Sequence, residues 1–70
     1  MLELAERLLL LRKEHELTQE DAARELGISM KSYCRYEKNG REPAAPILVE
    51  MAKFYHVSLD YLLGLKDERQ

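Results

Sequence analysis

The run TQEDAARELGISMKSYCRY, residues 18–36, holds two helix starts with one helix stop between them. Thr18 followed three residues later by Asp21 has the form of a capping box. In that arrangement the hydroxyl accepts from an orphan amide and the carboxylate favours the positive helix end. A helix therefore starts at Thr18 and runs through Ala22, Ala23 and Leu26 to Gly27, which can take the left-handed conformation that ends a helix without penalty. Only Ile28 separates this glycine from Ser29, a second good N-cap, so the next helix begins almost at once. Its spacing turns Tyr33 and Tyr36 inward and sets Lys31, Arg35 and Lys38 on an outer stripe at i, i+4, i+7.

Outward from this pair the pattern stays helical. Upstream, residues 2–14 predict a first helix, with Leu4, Leu8, Leu11 and His15 along one side. Leu9 and Leu10 fall off that stripe, and Leu9 shares another face with Leu2. Downstream, Asn39-Gly40 ends the third helix. Pro43 and Pro46 sit where a helix can begin, which predicts a fourth helix from about Ala44 or Ala45 through Tyr55, burying Ala45, Leu48, Met51, Ala52 and Tyr55. Ser58 caps a short fifth helix through Leu63, and Gly64 ends it. The expected architecture is a compact all-α domain of five helices over residues 1–65, with residues 66–70 a charged C-terminal tail that frays.

Size and composition remove whole classes of function. Seventy residues allow one domain and no roomy catalytic cleft. No nucleophile stands with a base, no glycine loop cradles a phosphate, and no carboxylates pair within a pocket, so no enzyme and no cofactor is expected. His15 and His56 have no Cys or His at ligand spacing, so no metal is expected either. The longest apolar run, Leu8 to Leu11, is far short of the roughly 20 residues of a membrane span. The single cysteine, Cys34, cannot form an internal disulfide, and a reducing cytoplasm is the expected compartment.

Charge is distributed unevenly. The net charge is −2, yet residues 28–41 carry Lys31, Arg35, Lys38 and Arg41 against Glu37 alone. That segment is locally +3 and the remainder −5, which suits one basic face on an acidic body. Two helices joined by a short turn containing Gly, the second with an outward basic stripe, fit the B-DNA major groove. The groove admits one helix, whose N-terminal residues meet the base edges. Here those residues are Met30, Lys31, Cys34 and Arg35.

Several separated blocks then resemble one family. Thr18-Gln19-Glu20, Leu26-Gly27-Ile28-Ser29, Arg35-Tyr36-Glu37, Arg41-Glu42-Pro43 and Val57-Ser58-Leu59-Asp60-Tyr61-Leu62-Leu63 are similar to the phage repressor/Cro helix-turn-helix family, over about residues 6 to 64. The resemblance implies a lambda-repressor-like fold with helices two and three as the helix-turn-helix. It implies a phosphate or base-edge contact from Gln19 and base readout by Met30, Lys31 and Arg35 with Cys34 adjacent. Backbone contacts from Ser32, Lys38, Asn39 and Arg41 are implied as well, and an ion pair between Arg12 and Glu37 joining helices one and three. The chain departs from the family where Ala22 and Ala45 replace the usual Leu and Tyr33 replaces Ile or Val, a shift of volume between helices. Glu16 and His56 stand where Gly is common, so a left-handed residue with a side chain is expected at both. Asn39-Gly40 is shifted by one from the common Asn-Gly-Lys order.

The function expected on these grounds is sequence-specific binding of double-stranded DNA by a transcriptional regulator, a repressor in particular, reading the major groove with helix three. One small helix buries limited surface, so a homodimer on a pseudo-palindromic operator is expected. Leu59, Tyr61, Leu62 and Leu65 either form its two-fold interface or close the core. Two rival readings stand beside this one. The first is an antitoxin that binds operator DNA and also a toxin protein through Leu2, Leu9 and Leu10. The second is a helix-turn-helix that serves only as a protein-interaction module.

Overall fold

In the computed structural model, which describes residues 2–70, the chain folds as α1 (Leu2–Glu14), α2 (Gln19–Leu26), α3 (Met30–Glu37), α4 (Ala45–Tyr55) and α5 (Leu59–Leu62). There is no strand among the described residues. Leu4, Leu8 and Leu11 project from one face of α1 into a single core with Ala22 and Ala23 of α2, Tyr33 and Tyr36 of α3, Met51, Ala52 and Tyr55 of α4, and Tyr61 and Leu62 of α5. The small α2 residues and the bulky Tyr33 are all buried in this cluster, so two of the three departures from the family's residue sizes, Ala22 and Tyr33, share one core. Tyr33 ends on a polar group that needs a partner in the interior. Its hydroxyl pairs with that of Tyr55 at 2.6 Å. Burial, then the Tyr55 hydrogen bond and the nearby Glu37 carboxylate, push the Tyr33 phenol above its ordinary value of 10.0.

Among the described residues, three other than glycine take left-handed backbone: Glu16 (φ 56°), Asn39 (φ 60°) and His56 (φ 58°). Each follows a helix and reverses the chain. The two sites where a glycine is missing are thus left-handed, as their positions imply. His15 does not extend the buried stripe of α1. It lies in the turn beyond the helix, exposed, with its ring edge against Tyr55 at a centroid distance of 5.3 Å.

Ala45 is exposed rather than buried, because the stripe of α4 runs past the edge of the core in its first turn, and Pro43 is buried just before it. Tyr61 and Leu62 close the core and are not available as an interface surface. Of the four residues expected there, Leu59 and Leu65 remain exposed.

The charged tail also differs from expectation. Arg69 grips Glu14 at the end of α1 through two hydrogen bonds of 2.7 Å, and the Ser58 amide donates to the Arg69 carbonyl at 2.6 Å. The Arg69 guanidinium lies 5.5 Å from the Tyr61 ring centroid, with Arg7 at 4.2 Å from the same centroid. Arg7 also donates to the carbonyls of Tyr61 and Lys66. Residues 66–70 therefore fold back on α1 and α5 through charged contacts that no local pattern encodes.

Candidate nucleic-acid interface

The site is built on the caps. Thr18 Oγ1 accepts from the Asp21 amide at 3.0 Å while the Thr18 amide donates to Asp21 Oδ2 at 3.2 Å, completing the capping box that starts α2. Gly27 (φ 72°) stops α2, and the Ile28 amide returns to the Ala23 carbonyl at 3.0 Å. Such a double reversal satisfies carbonyls that the helix end would otherwise orphan. Ser29 Oγ then accepts from the Ser32 amide at 3.0 Å and starts α3. Gly27, Ile28 and Ser29 are the whole connection, so the two axes are set by hydrogen bonds within the motif.

Lys31 and Arg35 on α3 and Lys38 at its C-cap are exposed, and among the described residues none of them is in an ion pair. Met30, 52% exposed, stands at the first helical position. Asn39 and Arg41 are exposed just beyond the helix. Ser32 and Cys34 are half-buried at its flank, with the Ser32 hydroxyl accepting from Ser29 Oγ at 3.0 Å. The structure thus gathers Met30, Lys31, Arg35 and Lys38 on one helix, with Asn39 and Arg41 after its C-terminal end.

The one acid of this segment is withdrawn from the surface. Glu37 has a side chain only 3% exposed and meets Arg12 of α1 in a two-pronged pair, Nε to Oε2 at 2.6 Å and Nη2 to Oε1 at 3.1 Å. Arg12 Nη1 also donates to the Leu17 carbonyl at 2.8 Å. The Glu37 hydrogen bond is the main reason the Arg12 guanidinium holds its proton more firmly than usual. The basic stripe therefore faces solvent undiluted, while Glu37 anchors α3 to α1.

Gln19, at the first position of α2, is drawn into the same network. Its Nε2 donates to Glu37 Oε1 at 3.1 Å, and its Oε1 accepts from Cys34 Sγ at 2.9 Å. Gln19 and Cys34, expected separately at the interface, touch each other. The available signal was the i, i+3 spacing of Cys34 and Glu37, which puts both on one flank of α3.

A helix-turn-helix family profile matches residues 8–62 of this chain. The chain is 46% identical over 63 residues, 90% of its length and 56% of the relative's, to a Bacillus subtilis (strain 168) protein named as the uncharacterized HTH-type transcriptional regulator YobD. It is 40% identical over 65 residues, 93% of its length and 50% of the relative's, to the HTH-type transcriptional regulator ImmR of the same organism. It is 36% identical over 54 residues, 77% of its length and 49% of the relative's, to the cryptic phage CTXphi transcriptional repressor RstR of Vibrio cholerae. The chain spans about half the length of these relatives. With the caps, the turn and the buried arginine–glutamate pair already in place, the match assigns the chain to the helix-turn-helix family of phage repressors and Cro.

Proposed function

We infer that the chain binds double-stranded DNA sequence-specifically and acts as the DNA-binding part of a transcriptional regulator, a repressor in particular. The observation that carries this is the exposed Lys31, Arg35 and Lys38 stripe on a short helix whose only acid is locked away by Arg12. In this reading α3 lies in the major groove. Met30, Lys31 and Arg35 address base edges: Lys or Arg suits guanine O6 and N7, and an apolar Met suits a thymine methyl. Gln19, Ser32, Lys38, Asn39 and Arg41 meet the backbone beside it.

Eight residues of α3 are about 12 Å of helix, about the width of the groove, and reach few base pairs. Two copies on a pseudo-palindrome supply the remaining specificity, with the exposed Leu59 and Leu65 available for pairing. Among the described residues no helix is long and apolar enough to cross a membrane, and the proposed setting is the cytoplasm. Selection of bound duplexes from a random pool tests the reading directly. A symmetric consensus bound with strong inverse salt dependence is expected; recovery of no sequence above background overturns it.

A further inference from the structure

Cys34 is placed unlike a residue that reads bases. It is half-buried, and its thiol is turned to α2, where it donates to the carbonyl oxygen of Gln19 at 2.9 Å. The other end of the same amide is held as well, with Gln19 Nε2 donating to Glu37 Oε1 at 3.1 Å. These contacts are chemically complementary. An ionised carboxylate only accepts, so Glu37 requires the NH₂ end of the amide, and the thiol, the one donor beside Gln19 Oε1 among the described contacts, takes the oxygen. A flipped amide would set its oxygen against the Glu37 carboxylate. Glu37 is itself immobilised by Arg12, so the clamp on Gln19 has one rigid jaw and one thiol jaw, a helical turn apart on α3.

We propose that Cys34 is a positioning residue for DNA binding: with Glu37 it fixes the Gln19 amide so that its carbonyl is occupied and only an N–H remains to offer a phosphate. The proposal rests on the DNA-binding reading above. Cys34 then influences affinity through Gln19 and carries no base preference of its own. A phosphate oxygen is an acceptor, and an amide held with its oxygen turned away meets it without reorganisation. A serine at position 34 keeps the donor; an alanine removes it.

The test uses the full chain, ¹⁵N-labelled, as wild type, Cys34→Ser, Cys34→Ala, Gln19→Ala and the double variant Gln19→Ala/Cys34→Ala. In the free proteins the ordering of the Gln19 side-chain NH₂ group is read by relaxation. It is expected to be high in wild type and Cys34→Ser and to fall in Cys34→Ala, with the backbone spectrum otherwise retained. On selected duplexes, Cys34→Ala weakens binding by about three- to fivefold at every sequence, Cys34→Ser by under about twofold, and Cys34→Ala costs nothing further once Gln19 is alanine. An unchanged Gln19 amide in Cys34→Ala, a Cys34→Ser that behaves like Cys34→Ala, or a loss that persists without Gln19 overturns the proposal. So does a change in base preference. Wild type that fails to bind any duplex overturns the DNA reading instead, and the relaxation measurement in the free protein still decides whether Cys34 orders Gln19.

Discussion

Truncating Glu37 would leave Arg12, with a side chain only 14% exposed, as a nearly buried cation without its counter-charge. Breaking a buried pair from one side costs more than the pair itself contributes, about 3 kcal/mol or more. Glu37→Ala is therefore expected to lower the melting temperature by roughly 10 °C or more, read by circular dichroism, since 1 kcal/mol moves a domain this small by about 4–8 °C. Glu16 and His56 pose the opposite case. Both are exposed and left-handed, a conformation that costs a residue with a Cβ about 1–2 kcal/mol and glycine almost nothing. After glycine's greater loss of chain entropy, Glu16→Gly and His56→Gly are each expected to stabilise the domain by about 0.5–1 kcal/mol. A melting temperature unchanged or lowered in both would reject the strain argument.

At the scale of an element, α3 divides its cations by position. Lys31 and Arg35 stand within the helix, where the proposed reading has base edges reached, and Lys38 caps its far end. Lys31→Ala and Arg35→Ala are each expected to cost about 1–3 kcal/mol of binding and to broaden the selected consensus. Lys38→Ala should weaken all duplexes alike and flatten the salt dependence by about one unit. If Lys31 and Arg35 proved silent in a titration against the selected site, the reading face would lie elsewhere. The elements themselves were legible because their caps are local. Thr18 with Asp21, Ser29 with Ser32 and Ser58 with Tyr61 are contacts across three residues, and a three-residue pattern is visible in any sequence. Ala45 was misplaced because the same helical spacing continues past the point where the core ends.

Across the whole molecule, Gly64 and the tail join the two ends of the chain. Gly64 is left-handed (φ 80°), and a Cβ there would lie 2.7 Å from the Cβ of Glu3. Neither atom can swing away on a rotamer, so α1 would have to shift. Gly64→Ala is expected to destabilise by more than about 1 kcal/mol, measured by denaturant unfolding. A second prediction concerns acid. The Arg69 hydrogen bonds hold the Glu14 carboxyl below its ordinary 4.5, and the Thr18 amide, then the Thr18 hydroxyl contact and Arg24, hold Asp21 below 3.8. Groups with depressed folded values contribute stability above their unfolded values and lose it as pH falls through the folded ones. The melting temperature should therefore hold down to about pH 4.5 and decline below it. Glu14→Gln should remove the upper part of that decline, and an identical profile in that variant would show that the tail contact carries no proton linkage.

The sequence alone determined the helix boundaries, the turn between α2 and α3 and the charge along α3, because each follows from residues within a turn or two of one another, while the left-handed junctions at Glu16 and His56 followed from the family resemblance. The tertiary structure decided what those residues meet. Glu37 is withdrawn by Arg12 across 25 positions, a pairing the family resemblance implies and no local spacing shows, Gln19 is clipped by Cys34 across 15, and Arg69 is returned to Glu14 across 55. It also sent Tyr61 and Leu62 inward and left Leu59 and Leu65 outside. Such pairings form only once the core has set the distances between helices, and no spacing along the chain records those distances.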